Sequence, residues 1–290
     1  MIIGADNASR KQLPNPRQCQ KHKELYNRPM NSILQKQLAL DYCCRQEDIS
    51  SGGNRFTVFR RLNGQRRFDD NVVTDGIVTD GGECFLKIAA VNGKLLFCGS
   101  ETIIPKLESR FRNASGAWFM EAGKLMELQE LLGEFGYRIK QFHPFYIADK
   151  KTESPAPHGN APAFDTVFYS QAEILRFRGD GRFGEAFAFN ENAPDVLGLA
   201  AVCGGEIISM AGASADSPFM WQIGINTMPE AEGMGIGTTL VAMLKNAVLD
   251  RGVLPFYGTS VSHIASQRVA VKAGFLPAWV ELITEEISKK

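Results

Sequence analysis

The chain has 290 residues, of which 44% are hydrophobic and 22% are charged, a composition typical of a globular protein with a buried core. Its 32 Lys and Arg residues balance its 32 Asp and Glu residues, so no overall field would attract nucleic acid or an anionic membrane. The six cysteines lack paired spacing, the four histidines are scattered, and neither a membrane-spanning run nor a signal peptide is evident, so we expect a cytoplasmic protein without a metal site.

The first 29 residues are polar and basic and show no sustained apolar periodicity. Such a composition predicts a disordered tail, because it offers too little apolar surface to fold. A nucleic-acid-binding arm is the functional alternative for this segment.

Residues 30–148 carry the signals of a smaller α+β domain. A helix is predicted to begin at Asn31 or Ser32. Asn92-Gly93 stands between two apolar runs, which predicts a type I′ hairpin, and two helices and the strand "YRIKQFHPFYI" follow. The apolar face of the first helix carries three residues at helical spacing, Leu34, Leu38 and Tyr42.

A cluster of arginines surrounds Asn63-Gly64 in the stretch "RRLNGQRRF", residues 60–68. The Asn-Gly pair predicts a hairpin, and we expect its basic tip to be solvated. An RNA-binding patch is the alternative, which the lack of interleaved aromatic residues disfavours.

Residues 149–163 contain three prolines and one glycine and show no apolar periodicity, which predicts a linker. Beyond it, residues 164–290 predict a second α+β unit. Its predicted strands read "DVLGLAAVC", "EIISMAG", "FMWQIGINTM", "VLPFYGTSV" and "AWVELITEE", with helices before the first, after the third and after the fourth. We therefore expect a mixed α/β sheet in an α+β protein of two domains.

The stretch "PEAEGMGIGTTL", residues 229–240, places three alternating glycines directly before a helical pattern. The first turn of a helix has unpaired N–H groups and about half a positive charge, and glycines let a phosphate approach them closely. The stretch does not fit a P-loop, because no lysine follows Gly237, or a dinucleotide fingerprint, because the third glycine is missing. A tight strand-to-helix turn without a ligand is the structural alternative.

Together with its flanks, this stretch resembles the acetyl-CoA site of the GCN5-related N-acetyltransferases (GNAT), V-x-P-x-x-[RQ]-x-x-G-x-[GA]. Pro229, Gly235 and Gly237 match that pattern. Further along, "HIASQRVAVKAGF" is similar to the family's N-x-x-A-x-x-x-Y-x-x-x-G-F, with Gly274-Phe275 in register. The resemblance covers about residues 164–290 and implies a GNAT domain there. Residues 30–148 are then either a degenerate copy of that fold or a substrate domain.

The resemblance implies acetyl-CoA as the co-substrate and no metal. The residues that it implies for cofactor binding are Ile225, Thr227, Glu232, Gly233, Met234, Gly235, Ile236, Gly237, Thr238, His263 and Ser266. Several of them depart from the family pattern, and Glu232 brings a negative charge that could cost about 1 kcal/mol next to a dianion. Because the contacts to the diphosphate are largely backbone N–H groups, we expect binding to persist.

Transfer of an acetyl group to an amine needs a base for the amine, a hydrogen-bond donor that stabilises the oxyanion, and a thiolate that leaves. A thiol with a pKa of about 8.5 leaves near neutral pH, so replacement of the family's Tyr by Ala270 weakens the catalytic case without ending it. Tyr257 or Ser266 could take over that role. The nearest candidate base is Asp216, for which a turn residue bonded to its own backbone is the structural alternative.

Other candidates for the base are Glu206, His263, a water chain or a carboxylate from the N-terminal half. An N–H group near Ile225 is implied to face the thioester oxygen. Trp221 and Gln222 lie in an alternating strand, so one of them should face the acceptor, and a core position is the alternative for Trp221.

We therefore expect an acetyl-CoA-dependent N-acetyltransferase that acts on a primary amine of a small molecule by direct attack on the thioester. A non-catalytic acyl-CoA-binding sensor or interaction module is the alternative, and another acyl or aminoacyl transfer on the same fold is the third. Neither a nucleic acid nor a membrane is expected as a partner.

Overall fold

The computed structural model describes residues 30–66, 71–74, 77–80 and 84–287, so the predicted tail of residues 1–29 lies outside the described residues. The first half of the chain comprises helices α1 (Ser32–Asp41) and α2 (Gln46–Ser50), strands β1 (Arg55–Val58), β2 (Asn71–Thr74), β3 (Ile77–Asp80), β4 (Leu86–Val91) and β5 (Lys94–Gly99), helices α3 (Ile104–Phe111) and α4 (Ala122–Gly133), and strand β6 (Tyr137–Ile147).

The second half comprises strand β7 (Asp165–Ser170), the short helix α5 (Gln171–Ile174), strands β8 (Asp195–Cys203), β9 (Glu206–Ser214) and β10 (Met220–Thr227), helix α6 (Ile236–Leu249), strand β11 (Leu254–Gly258), helix α7 (Ile264–Lys272) and strand β12 (Leu276–Glu286). The expected mixed α/β sheet is confirmed: ten of these strands form one sheet in the order β1-β5-β4-β12-β6-β11-β10-β9-β8-β7. Strands β2 and β3 pair with each other in a separate hairpin.

Local sequence signals account for several of these elements. Leu34, Leu38 and Tyr42 on α1 are all buried, as the helical spacing predicts. Asn92 and Gly93 between β4 and β5 have φ angles of 48° and 76°, the left-handed conformation that a type I′ turn requires at both positions.

The sheet joins the two halves of the chain. Strand β6 from the first half lies between β11 and β12 from the second half, and it pairs with β12 in antiparallel register from Tyr137 to Ile147. The other edge of β12 pairs with β4. The division of the chain into residues 30–148 and 164–290 stays a prediction, but strands from both segments share the hydrogen bonds of one sheet.

The sheet splits between β10 and β11. These parallel strands pair only at Met220–Gln222 with Leu254–Phe256, and from Ile223 onward β10 is paired with β9 alone. Helix α6 covers one face of this region with four buried apolar side chains, Ile236, Leu240, Leu244 and Val248. The split therefore leaves one edge of β10 open beside the start of α6.

A row of glycines lets a loop lie directly on the opposite face of the sheet. Gly198, Gly212 and Gly224 are register partners on neighbouring strands. A Cβ atom on Gly212 would lie 1.9 Å from the carbonyl oxygen of Ala186, and one on Gly224 would lie 1.8 Å from that of Glu185. Only glycine leaves room for the loop of residues 184–187.

Arg66 contradicts the expectation of a solvated basic tip, because its side chain is only 4% exposed. Its Nε donates to Asp41 Oδ2 at 2.6 Å and its guanidinium NH2 donates to Glu281 Oε2 at 2.7 Å. Burial alone would lower the pKa of Arg66, but the carboxylates of Glu281 and Asp41 raise it overall. Arg66 thus joins α1 to the central strand β12 through a buried ionic cluster.

Among the helices of the described ranges, none is both long enough and apolar enough to cross a membrane.

Candidate active site

A cavity of about 1000 Å³ opens at the split between β10 and β11. One side of it is lined by the start of α6, the glycines before that helix and the first turns of α7. The other side is lined by the loop that lies on the sheet and by residues of β6, β9, β10 and β12. The cavity therefore connects the glycine stretch with side chains from both halves of the chain.

The glycine stretch presents a series of unused hydrogen-bond donors to this cavity. Among the described residues, none accepts a hydrogen bond from a backbone N–H group from Gly233 through Thr238, whereas the N–H of Thr239 donates to Gly235 O at 3.1 Å. Four of these residues, Gly233, Gly235, Gly237 and Thr238, line the cavity. Unpaired donors at the positive end of a helix dipole form a binding site for an anion.

The glycines keep these donors accessible. Gly235 is the N-cap residue of α6 and has a φ angle of 83°, which disfavours any residue with a side chain. A Cβ atom on Gly237 would lie 2.8 Å from Thr227 Oγ1, which is too close. The residues present therefore fit a phosphate or diphosphate group, which is the group that acetyl-CoA would bring to this site.

The predicted cofactor residues divide into those that line the cavity and those that do not. The cavity is lined by Ile225, Thr227, Glu232, Gly233, Gly235, Gly237, Thr238, His263 and Ser266. Met234 and Ile236 instead belong to the hydrophobic core under α6 and are not among the residues that line the cavity.

Tyr257 and Ser266 form a hydroxyl pair in the wall of the cavity, with 2.9 Å between the two oxygen atoms. Burial raises the pKa of Tyr257, the hydrogen bond with Ser266 opposes this, and the charge of Glu185 adds to the rise. The phenol therefore keeps its proton at neutral pH. Ala270, at the position of the family's Tyr, is fully buried in the same core as Tyr257.

Strand alternation separates the two predicted substrate residues. Gln222 lines the cavity, whereas Trp221 packs against the hydrophobic core. Asp216 also lines the cavity, and its Oδ1 accepts a hydrogen bond from Ser214 Oγ at 2.6 Å. The hydroxyl of Ser214 thus holds the carboxylate of Asp216 in place.

Three further carboxylates line the cavity on the acceptor side, Glu185, Asp195 and Glu281. Burial raises the pKa of Asp195, although its carboxylate accepts backbone N–H groups from Phe189 at 2.7 Å and Ala188 at 3.4 Å. Glu281 is already paired with Arg66.

A contribution of the first half of the chain to the acceptor side was expected, but the particular side chains were not predicted from the sequence. Gln141, His143 and Phe145 of β6 line it, and so does Arg66. The alternation of "KQFHPF" could have shown that these three side chains share one face of a strand, but nothing in the sequence placed that strand beside β11. Also missed were three basic side chains on the α6 and α7 side, His158, Arg268 and Lys272.

No group of three or more His, Cys, Asp or Glu side chains in the described ranges is arranged to hold a metal ion.

Comparison with known proteins gives one family match. The model of the acetyltransferase (GNAT) family matches residues 165–275. No curated protein matches the chain.

Similar solved structures include a GCN5-related N-acetyltransferase-like protein from Streptococcus suis, at 14% identity and a TM-score of 0.43, over 93% of this chain and 98% of that one. A GCN5-related N-acetyltransferase from Sphaerobacter thermophilus has 17% identity and a TM-score of 0.42, over 59% of this chain and 58% of that one. The yncA protein of Salmonella typhimurium, solved with its cofactor acetyl-CoA, has 13% identity and a TM-score of 0.32, over 44% of this chain and 96% of that one.

Proposed function

Because residues 165–275 are a domain of the acetyltransferase (GNAT) family, we propose that this protein transfers an acetyl group from acetyl-CoA to a primary amine of a small molecule. The observation that carries this proposal is the series of unpaired backbone N–H groups from Gly233 through Thr238, beside the split in the sheet. A cytoplasmic location and the lack of a nucleic-acid partner stay predictions.

The proposed cofactor site consists of the glycine stretch and the open edge of β10. The N–H groups of the first turn of α6 would hold the diphosphate, and the unpaired edge from Ile223 to Thr227 offers backbone groups to an extended arm. When bound, acetyl-CoA supplies the acetyl group as a thioester. We keep Ile225 as the proposed source of the N–H group that stabilises the oxyanion.

The charges on the acceptor side support an amine as the acceptor. Arg66 is neutralised by Asp41 and Glu281, so the carboxylates of Glu185, Asp195 and Asp216 are not balanced by it. An ammonium group would be attracted there more strongly than a neutral or acidic acceptor.

The amine must lose a proton before it can attack. A lysine-like amine with a pKa of about 10.4 is neutral in only about one molecule in 2,500 at pH 7, so a base is worth several decades of rate. We propose that Asp216 accepts this proton, because its carboxylate lines the cavity and Ser214 orients it. Tyr257 holds its own proton at Oη and is the proposed donor to the leaving group.

Acetyl-CoA and a panel of small amines, with free thiol release as the readout, test the proposed reaction. Thiol release that depends on an amine supports it. Tight binding of acetyl-CoA without turnover of any amine would instead favour the sensor or interaction module, an alternative that the buried Ala270 supports because it offers no hydroxyl.

A pair of glycine variants tests the cofactor site. Gly235 and Gly252 both have left-handed φ angles, 83° and 74°, so a new side chain strains the backbone at each. Only Gly235 lines the cavity. Gly235→Glu should abolish binding of acetyl-CoA in calorimetry, whereas Gly252→Glu should retain it. Equal affinities for the two variants would contradict the proposed site.

A further inference from the structure

The segment that joins the two halves is fixed along helix α6 by four hydrogen bonds. Thr152 exchanges two of them with the side chain of Asn246, at 3.3 and 2.9 Å, and accepts a third from Lys245 Nζ at 2.5 Å. Nearer the start of the helix, Thr239 Oγ1 donates to Pro155 O at 2.8 Å. The segment therefore follows α6 back towards its first turn, where the unpaired N–H groups lie.

At that turn, the segment brings His158 against the glycines. The N–H of His158 donates to Met234 O at 2.8 Å. Its ring atom Cδ2 is 3.5 Å from the position that a Cβ atom on Gly235 would take. The ring also lines the cavity, and no hydrogen bond from it to another group is recorded in the parts of the chain that the structure covers. The imidazole thus stands beside the donors with its polar atoms available.

The glycine stretch itself has no basic side chain that could pair with an anion, so a histidine beside it matters for binding. Residues 229–240 contain Glu230 and Glu232 but no Lys, Arg or His, so the stretch itself offers an anion only neutral N–H groups and unfavourable charges. A diphosphate carries two negative charges. A histidine that is held beside the same N–H groups would supply the charged or polar donor that the stretch lacks.

We propose that the imidazole of His158 donates a hydrogen bond to the diphosphate of acetyl-CoA bound at the start of α6. This inference rests on the proposed function, because it needs a coenzyme A thioester in that site. It assigns the connecting segment a role in binding, beyond that of a tether between two halves.

Calorimetric titration of His158→Ala with acetyl-CoA and with its 3′-dephospho form tests the proposal. A hydrogen bond to a charged group is worth about 10- to 100-fold in affinity, so we expect both ligands to bind about 10- to 100-fold more weakly. His158→Gln retains a side-chain N–H and should recover part of the loss. Asn160→Ala, an exposed change in the same segment, is the control and should bind like the unchanged protein.

The possible outcomes separate this inference from the proposed function. If the unchanged protein binds both ligands and His158→Ala binds them equally well, only the role of His158 is overturned. A loss of affinity confined to acetyl-CoA would overturn the diphosphate contact in favour of one to the 3′-phosphate. If the unchanged protein binds neither ligand, both the inference and the proposed function fail.

Discussion

Replacement of Arg66 by Met should destabilise the fold strongly. The guanidinium is 4% exposed and contacts Asp41 Oδ2 at 2.6 Å and Glu281 Oε2 at 2.7 Å, and these carboxylates are 0% and 8% exposed. Met keeps much of the length of the side chain but leaves two buried carboxylates without a counter-charge. Breaking a buried ion pair from one side costs about 3–5 kcal/mol, a large part of the about 5–15 kcal/mol that stabilises a typical domain.

Urea denaturation followed by tryptophan fluorescence measures this loss, and Trp279 lies 4.9 Å from the Arg66 guanidinium as a nearby probe. Lys106→Met is the matched control, because it breaks an ion pair with Glu134 in which both side chains are about half exposed, 52% and 50%. Exposed pairs contribute about 0–1 kcal/mol, so the control should be several-fold less destabilised.

A second substitution distinguishes the loss of the counter-charge from a loss of stability that comes only from altered packing. Glu281→Gln in the Arg66→Met background removes one of the uncompensated charges, so it should restore part of the free energy of unfolding. The buried ion pair does not stabilise the fold as predicted if Arg66→Met costs no more free energy of unfolding than Lys106→Met at an unchanged denaturant slope, or if Glu281→Gln restores nothing.

Three further predictions concern the site and its surroundings. Asp216→Asn should lower kcat for amine acetylation by about 100-fold or more and remove the acidic limb of the pH–rate profile, whereas Glu206→Gln should leave both unchanged; an intact limb would exclude Asp216 as the base. Burial raises the pKa of Tyr257 in the folded protein, so its contribution to stability is present below the unfolded pKa of about 10 and is lost as the pH rises above it. Urea midpoints across this alkaline range should therefore fall less in Tyr257→Phe than in the unchanged protein. An identical fall in the two proteins would contradict the raised pKa. Gly224→Ala would bring Cβ to 1.8 Å from a backbone oxygen of the overlying loop and should lower the melting temperature by several degrees, whereas Gly123→Ala in α4 meets nothing within 4 Å and should not; equal melting temperatures would show that the loop does not lie on the sheet.

The sequence predicted those parts of the fold that depend on nearby residues. The turn at Asn92-Gly93 needs only two residues with positive φ, and the periodicity of α1 shows which side chains it buries. It did not predict the burial of Arg66, because the acceptors of that guanidinium stand 25 and 215 residues away. An arginine beside an Asn-Gly turn is usually exposed, and only tertiary partners change that outcome.

The candidate site shows the same limit. Glycines before a helical pattern directly predict a place where an anion can approach backbone donors, so this part of the candidate site could be proposed from the sequence. The wall formed by β6 and the position of His158 depend on which strand pairs with β11 and on where an irregular segment runs. Neither has a local pattern in the sequence. Alternation did indicate that one of Trp221 and Gln222 faces the cavity, but not which one.

The position of β12 has a consequence for how the protein is made. This strand fills the gap between β4 and β6, yet it is synthesised after both of them. Until then, both neighbours carry unpaired backbone groups that a second nascent chain could capture. The sheet can therefore close only after β12 has been made. A fragment that stops at residue 275, where the family match ends, would keep the unpaired edges of β4 and β6 permanently.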